Sequence, residues 1–352
     1  MKIIIIALSG IGDALMFTPA LNLLRTNLPD AQIDLLVMYN GARDIYLNNL
    51  NINNVYFFDF PGEGTIKSLK YILSLRGEYD TSINVYPSNR KEYNIIGFLI
   101  GAKNKAAVKY LRKDFSNLGF LNKIRITEND SVHNVQTNIK LIEKLLNKRI
   151  NEEPPLELFI TEEDEILAQK FFSENNISKD DLVIGFHPGC ATLKNHIKRR
   201  WEPEKFAGLG KRLIDEYHSK ILVFGGPEET ELKNTIKAKI DSPDAVVVNT
   251  NGIMHSAAIM KSCGVIITND SSQMHIAAAL GLKVIAIIGP TNPHYIHPWK
   301  TEHKIVTLNL DCAPCFFYSP SPLICNRYDL QFKCIKELTV EMVFTAVGQI
   351  LQ

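Results

Sequence analysis

IIIIALSGIGD, residues 3–13, is the stretch that decides the fold of this chain. The apolar run of residues 3–8 is typical of a strand buried on both faces of a parallel sheet. Gly10 and Gly12 then permit a tight turn that a ligand can approach closely. Asp13 opens an amphipathic stretch over residues 14–24, where it lies in the crevice in which open α/β sheets bind ligands. The same position suits a residue that only caps a helix.

Length and composition narrow the class of protein. A chain of 352 residues exceeds most single-core domains, so two domains are expected. The formal net charge of +1 argues against a general nucleic-acid binder, so no nucleic-acid partner is expected. No apolar run approaches the roughly 18 residues that span a bilayer, and residues 3–8 are too short for a signal peptide. We therefore expect a cytoplasmic protein, whose six cysteines are reduced thiols or metal ligands.

Short apolar runs alternate with amphipathic stretches in both halves of the chain, which predicts parallel sheets covered by helices on both faces. Strands are predicted at residues 3–8, 32–38, 55–58, 81–85, 182–187, 220–224, 245–248, 265–268 and 284–288. Helices are predicted at residues 14–26, 65–75, 132–146, 203–217, 228–240 and 339–351. Pro154 and Pro155 indicate a linker, which gives domains over residues 1–153 and 154–337 and a C-terminal helix within 338–352.

The glycine turn is a poor match to a dinucleotide-binding fingerprint. Leu15 stands where the third glycine of that fingerprint belongs. Residues 32–38 are followed by Tyr39 and Asn40 instead of the acidic residue that binds a ribose. Nicotinamide or flavin chemistry is therefore disfavoured.

NDSSQMH, residues 269–275, is the most informative motif of the second half. Asp270 follows a predicted strand, and Ser271 and Ser272 open a helix. The N–H groups at such a helix start suit a diphosphate. His275 lies about one turn further, within reach of a phosphate oxygen, although a capped helix with an incidental histidine has the same spacing.

Three further motifs follow predicted strands of the second half. HPGC at residues 187–190 precedes KRRW at residues 198–201. The cations of KRRW can neutralise the negative charge that builds on a departing nucleotide. A charge run is often only a solvated surface, but the neighbouring tryptophan favours an ordered position. GGPEE at residues 225–229 offers a glutamate to ribose hydroxyls or to a helix start. GPT at residues 289–291 is one more loop at a strand end.

Together these motifs resemble glycosyltransferase family 9, the group that includes the lipopolysaccharide heptosyltransferases. The resemblance covers essentially the whole chain and rests on SGIGD with TPAL at 18–21, HPG with RRW, GGPEE, DSSQMH and GPT. It implies an α/β fold of the GT-B type, with two Rossmann-like doubly wound domains that face a cleft. It also implies an acceptor-binding N-terminal domain, a donor-binding C-terminal domain and an inverting transfer that requires no metal cofactor.

The resemblance also implies roles for individual residues. Asp13 resembles the catalytic base, and the turn formed by Ser9, Gly10 and Gly12 resembles the acceptor-side loop. The donor-binding candidates are Thr192, Lys198, Arg199, Glu229, Asp270, Ser271, Ser272 and His275. An inverting transfer needs one carboxylate to take the proton of the acceptor hydroxyl and positive charge at the leaving diphosphate. Family members often carry Lys two residues before the tryptophan, so Lys198 and Arg199 are both candidates here. Ser272 replaces a frequent glycine, which leaves the donor open.

The expected reaction moves a sugar, heptose from ADP-heptose, onto a lipopolysaccharide core or a related surface glycan. The alternatives are a two-domain nucleotide-sugar epimerase and a non-catalytic protein that binds sugar nucleotides. A lipid-linked acceptor implies transient contact with the inner face of the cytoplasmic membrane. A basic patch for that contact is offered by Lys103, Lys105, Lys109, Arg112 and Lys113.

Four cysteines lie close together near the C-terminus, at Cys312, Cys315, Cys325 and Cys334. Four thiolates that include a C-x2-C pair can form a structural zinc site. The later spacings are looser than those of a zinc ribbon. The cluster therefore predicts either a structural metal or reduced thiols that order a loop.

Overall fold

The computed structural model describes residues 1–88, 90–318 and 320–352. It divides into two compact units, Met1–Phe159 and Ile160–Gln352. The division follows residue 159, later than the boundary expected after residue 153. The reason is that Glu157 is tied to the first unit: its backbone N–H donates to Thr18 at 2.9 Å, and its carboxylate accepts from the amides of Asn22 and Asn51.

The first unit is built on a parallel six-stranded sheet in the order β3-β2-β1-β4-β5-β6. Its strands are β1 (Lys2–Ala7), β2 (Gln32–Val37), β3 (Asn54–Phe57), β4 (Thr81–Asn84), β5 (Asn104–Lys109) and β6 (Ile124–Thr127). Its helices are α1 (Ile11–Leu15), α2 (Thr18–Asn27), α3 (Asn40–Tyr46), α4 (Phe60–Ser74), α5 (Lys91–Ile100) and α6 (Asn134–Leu146). This is the strand order of dinucleotide-binding domains, and it reverses between β1 and β4.

β1 occupies the centre of this sheet because both of its faces are covered. Each isoleucine of residues 3–6 is at most 1% exposed, as expected for an apolar strand between two neighbours. The single helix predicted over residues 14–26 is wrong. α1 ends at Leu15, and α2 begins at Thr18 because Pro19, which has no N–H to donate, suits the first turn of a new helix.

The second unit repeats the same plan, with the strand order β12-β11-β10-β7-β8-β9 and a reversal between β7 and β10. Its strands are β7 (Val183–His187), β8 (Lys220–Val223), β9 (Ala245–Val247), β10 (Val265–Asn269), β11 (Lys283–Ile287) and β12 (His303–Val306). Its helices are α7 (Glu162–Glu174), α8 (Pro203–Tyr217), α9 (Thr230–Ile240), α10 (Ile253–Met260), α11 (Ser272–Ala279), α12 (Pro293–Ile296), α13 (Lys333–Lys336) and α14 (Val340–Leu351). The predicted α/β class with two doubly wound units is confirmed.

The core of the second unit includes the end of the chain. α14 packs on α8 and on the β11–β12 edge, and it buries Val343, Val347 and Ile350 completely. Trp201 is 1% exposed and donates its indole N–H to the carbonyl of Leu338 at 2.9 Å. The C-terminal helix is therefore part of the second unit.

In the described parts of the chain, none of the helices has the combination of length and hydrophobicity that crossing a membrane requires.

Replacing Ile267 with alanine tests the packing of the second sheet. Ile267 is fully buried on the central strand β10, so the cavity left by Ile267→Ala is expected to lower the free energy of unfolding by about 2–5 kcal/mol. Ile166 on α7 is 58% exposed, and Ile166→Ala is expected to change it by less than about 0.5 kcal/mol. Chemical denaturation measures both; equal effects would contradict this packing.

Candidate functional site

The turn after β1 presents Asp13 at the carboxyl edge of the first sheet. Gly10 precedes α1 with an extended backbone, and Asp13 lies partly exposed in the first turn of that helix. Two buried tyrosines hold the backbone on either side. Tyr93 donates to the carbonyl of Leu8 at 2.7 Å, and Tyr46 donates to the carbonyl of Ala14 at 2.6 Å. The carboxylate is therefore displayed on an anchored backbone.

Two buried phenols lie within electrostatic reach of the Asp13 carboxylate. Burial raises the pKa of Tyr93 and Tyr110, and the charge of Asp13 contributes to both shifts, which places Asp13 near these phenols. Arg90 is exposed and acts on Tyr93 in the opposite direction. The Ser9 hydroxyl is buried without a hydrogen-bond partner among the described residues. Arg90 and Tyr93 were missed by the sequence reasoning, although they follow β4, the strand beside β1 at the reversal of the sheet order.

The second unit gathers four loops at the carboxyl edge of its sheet, and Asp270 ties three of them together. Its Oδ2 accepts hydrogen bonds from Arg199 Nη1 and from the Thr291 hydroxyl, both at 2.6 Å. The Arg199 guanidinium also lies 5.6 Å from the centre of the Phe316 ring. The loops after β7, β10 and β11 therefore meet at one buried carboxylate.

The candidate residues on the loop after β7 differ in their exposure to solvent. Arg199 is about one-tenth exposed and fixed by its ion pair, whereas Lys198 and Thr192 lie exposed on the same loop. Arg200 was not among the predicted site residues, but it donates to the carbonyl of Cys190 at 2.9 Å and to Glu229 at 2.8 Å. Adjacent arginines therefore bind two different buried carboxylates.

Glu229 is the second buried carboxylate of this edge. Arg200 pairs with its Oε1, while Oε2 lies 3.3 Å from His187 Nε2 and accepts from the Gly226 N–H. Burial opposes the charged form of Glu229, but His187, Arg200 and the Gly226 amide together lower its pKa below the ordinary value. A Cβ on Gly189 would lie 1.7 Å from Glu229 Oε1, so only glycine lets this carboxylate pack against the loop after β7.

Ser271 precedes α11, yet its hydroxyl does not cap that helix in the described structure. Ser271 Oγ lies 3.0 Å from His187 Nδ1 and 3.2 Å from Thr268 Oγ1 instead. The N–H groups in the first turn of α11 are thus left without a side-chain cap, as an anion-binding helix start requires. Ser272 is partly exposed at the same end, while His275 is 4% exposed.

Two buried polar residues brace the same loops: Asn269, the first residue of the NDSSQMH motif, and Lys233, which the sequence reasoning missed. Asn269 donates to the carbonyl of Pro188 at 2.6 Å and accepts from the Trp201 N–H at 3.0 Å. Lys233 Nζ donates to the carbonyls of Gly225 and Val248, at 3.1 and 2.8 Å. The lysine four residues after GGPEE is the signal that could have drawn attention to Lys233.

Comparison with known proteins decides the family. A family model described as glycosyltransferase family 9 (heptosyltransferase) matches residues 69–321. This chain belongs to glycosyltransferase family 9. It is 26% identical over 367 residues to lipooligosaccharide heptosyltransferase 2 of Campylobacter jejuni subsp. jejuni serotype O:2, covering 100% of this chain and 99% of the relative. The predicted resemblance is confirmed, and the chain is a glycosyltransferase.

Solved structures of family 9 proteins show the same fold. A family 9 glycosyl transferase from Veillonella parvula matches with a TM-score of 0.77 and 22% identity, over 99% of this chain and 97% of that one. ADP-heptose lipopolysaccharide heptosyltransferase II from Escherichia coli matches with a TM-score of 0.76 and 21% identity, over 100% and 98%. The fold is therefore that of the GT-B glycosyltransferases.

The cysteine-bearing segment of this family 9 chain supports the loop that carries Arg199. Phe316 lies against both Arg199 and His196, and the Leu323 carbonyl accepts from Asn195 at 2.9 Å. The backbone N–H of Phe316 also donates to the carbonyl of Pro290, so the segment is attached to the loop after β11.

The four cysteines themselves are free thiols, and Cys312 and Cys315 are exposed. Burial, followed by the neighbouring thiols, raises the pKa of Cys315 and raises that of Cys334 to about 11. Across residues 1–88, 90–318 and 320–352, no group of three or more His, Cys, Asp or Glu side chains is arranged to hold a metal ion. The structural zinc therefore stays a prediction.

His275 generates a pH-dependent stability. Burial lowers its pKa from 6.5 to about 4, so the folded protein keeps it neutral while the unfolded chain takes up a proton. Stability is therefore lost as the pH falls from about 7 towards 4, with a contribution of up to about 1.4 kcal/mol per pH unit.

We expect His275→Gln to remove that contribution, so that unfolding free energies measured by denaturant titration depend less steeply on pH than those of the wild type. His218→Asn, at an exposed histidine, is the matched control and should keep the wild-type slope. Parallel slopes for His275→Gln and the wild type would contradict the assignment.

Proposed function

We propose that this glycosyltransferase moves heptose from ADP-heptose to a lipopolysaccharide core acceptor, with inversion at the anomeric carbon. The names of its relatives support the donor and the acceptor, since the Escherichia coli structure is an ADP-heptose enzyme and the Campylobacter jejuni relative is a lipooligosaccharide heptosyltransferase. The observation that carries the proposal is the set of loops held by Asp270 at the strand-order reversal of the second unit. Ligands of doubly wound sheets bind at that position.

The donor diphosphate is assigned to the start of α11 and to Arg199. The uncapped N–H groups of the helix and the hydroxyls of Ser271 and Ser272 are hydrogen-bond donors for phosphate oxygens. Arg199, held in place by Asp270, supplies a positive charge where the leaving group accumulates negative charge. His275 is buried and neutral, so its contribution is a hydrogen bond and not a charge. We therefore favour Arg199 over Lys198 and Thr192 as the main diphosphate contact.

Glu229 is assigned to the ribose of the donor. A carboxylate has about four acceptor positions, and Arg200, His187 and the Gly226 N–H use three of them, which leaves about one for a ribose hydroxyl. Arg200 and His187 keep Glu229 ionised and fixed in orientation.

Asp13 is assigned as the catalytic base in the first unit. Its carboxylate takes the proton of the acceptor hydroxyl while that oxygen attacks the anomeric carbon from the face opposite the leaving diphosphate. Gly10 and Gly12 keep the turn small enough for an acceptor sugar. The residues that neutralise the diphosphate let the transfer proceed without a metal cofactor.

A lipid-linked acceptor places the enzyme at the inner face of the cytoplasmic membrane. Lys103, Lys109, Arg112 and Lys113 are exposed on the first unit, where Arg112 pairs with Asp130, and Lys105 is half-buried. Phe115 and Phe120, which follow in the sequence, are 84% and 53% exposed. Basic and aromatic side chains together suit transient contact with an anionic membrane surface.

Asp13→Asn tests the proposed function. The variant keeps the size of the side chain but removes the base, so we expect transfer from ADP-heptose to fall by about 10²–10⁴-fold in turnover. Binding of ADP and the circular dichroism spectrum should not change, because the donor residues lie in the second unit. Product analysis of the lipopolysaccharide core measures the transfer.

Asp30→Asn is the matched control, since Asp30 is exposed in the same unit and should keep wild-type turnover. Near-wild-type turnover in Asp13→Asn would refute its role as the base. An isomerised sugar nucleotide formed from the donor alone would identify an epimerase instead, and ADP-heptose binding without transfer would indicate a binding protein.

A further inference from the structure

We propose that His187 is a positioning residue whose protonation accompanies binding of the donor diphosphate, because only charged His187 frees the Ser271 hydroxyl to donate to a phosphate oxygen. This inference rests on the proposed function, which places the diphosphate at the start of α11. It assigns to His187 a role that the sequence motif alone does not give it.

The His187 ring bridges two residues of the donor site. Nδ1 lies 3.0 Å from Ser271 Oγ, and Nε2 lies 3.3 Å from Oε2 of Glu229. The histidine is 5% exposed and ends β7, the strand next to β10 at the reversal of the sheet order. Each ring nitrogen therefore has a protein partner, and the ring lies between the ribose and diphosphate residues.

Glu229 fixes the position of the hydrogen on a neutral ring. An ionised carboxylate only accepts hydrogen bonds, so Nε2 must carry a hydrogen to bind Glu229. A neutral imidazole has a single N–H, which leaves Nδ1 without a hydrogen. Nδ1 is then an acceptor, and the Ser271 hydroxyl must donate to it.

The Ser271 hydroxyl has one hydrogen to donate, and few acceptors lie near it. Thr268 donates its own hydrogen to the carbonyl of Asn269 at 2.8 Å, so towards Ser271 it can only accept. With neutral His187, the Ser271 hydrogen is used by Nδ1, and only lone pairs of the hydroxyl are available to a ligand. Lone pairs repel an anionic oxygen, so this state does not suit a diphosphate.

Protonation of His187 exchanges the donor and acceptor roles in the hydrogen bond between Nδ1 and the Ser271 hydroxyl. Nδ1 then takes a proton from solvent and donates to Ser271 Oγ, and the hydroxyl hydrogen can turn to a phosphate oxygen. No covalent bond to the ligand is made or broken. Binding of the diphosphate and binding of one proton therefore favour each other, as linkage requires.

The charged groups around the ring are consistent with this coupling. The Glu229 carboxylate lies 3.3 Å from Nε2 of His187. Arg200 shares Glu229 from the loop after β7, and Lys233 on α9 interacts with the same carboxylate. The ion pair of Asp270 and Arg199 is the next charged group, and its carboxylate comes directly after β10. A diphosphate arriving beside Ser271 adds further negative charge, which increases the protonation of His187.

Calorimetric titration with ADP tests the proposal. Titrations near pH 7 in two buffers of different ionisation enthalpy report the number of protons taken up on binding. We expect fractional proton uptake by the wild type and no corresponding uptake by His187→Gln. As the pH rises, the wild-type affinity should fall by up to about tenfold per pH unit, while the variant shows a flatter profile.

Ser271→Ala provides a second, independent variant, because it keeps the contact of His187 with Glu229. It should bind ADP more weakly and take up fewer protons than the wild type, whereas His218→Asn at an exposed histidine should behave as the wild type. Unchanged uptake in either His187→Gln or Ser271→Ala would overturn the role of His187 while leaving the donor site intact. A wild type that does not bind ADP would overturn both the donor site and this inference.

Discussion

The ion pair between Asp270 and Arg199 is the interaction on which the organisation of the second unit depends. Both side chains are about one-tenth exposed, so each has lost most of its hydration. The Thr291 hydroxyl and the Phe316 ring add contacts to the carboxylate and the guanidinium. Such a pair is a poor source of net stability, but removing either partner leaves a buried charge uncompensated, at a cost of about 3–5 kcal/mol. The pair therefore selects one arrangement of the loops that carry it.

A second buried ion pair, between Arg200 and Glu229, lies at the same carboxyl edge of the sheet. Arg200 and Glu229 connect the loop after β7 to the loop after β8, and Gly189 makes the room that this carboxylate needs. His187 joins Glu229 to Ser271 and thus links the two sets of loops. Because neighbouring arginines face different carboxylates, the backbone at residues 199–200 is fixed on both sides. The site is preorganised by buried electrostatics at a helix start, which suits binding of an anionic donor.

The sequence was sufficient where a single local pattern determines structure. The apolar run of residues 3–8 identified β1, and an amphipathic stretch with a proline in its first turn identified α8 as Pro203–Tyr217. β5, β6 and β12 were missed, since Asn104–Lys109, Ile124–Thr127 and His303–Val306 mix charged and apolar residues and lack an apolar run. β6 and β12 are edge strands and β5 is next to an edge. Strands in these positions are less enclosed by the rest of the sheet, so they can carry charged residues.

The partners of the site residues could not be predicted in the same way. Asp270, Arg199 and Glu229 were identified as donor-binding candidates, but which of them meet depends on the strand order. That order is a long-range property, and neither spacing nor charge reveals that the ends of β7 and β10 are neighbours. The lowered pKa of His275 could not be predicted either, because the residues that bury its side chain are distant in the sequence.

We propose above that Arg199, fixed by Asp270, forms the positive side of a nucleotide-diphosphate site. The most direct measurement is the thermal stabilisation of the wild type, Arg199→Ala and Lys198→Ala by ADP, because a ligand that binds the folded state stabilises it by mass action. We expect stabilisation of the wild type that is largely lost in Arg199→Ala and largely retained in Lys198→Ala. Equal stabilisation of the wild type and Arg199→Ala would contradict it.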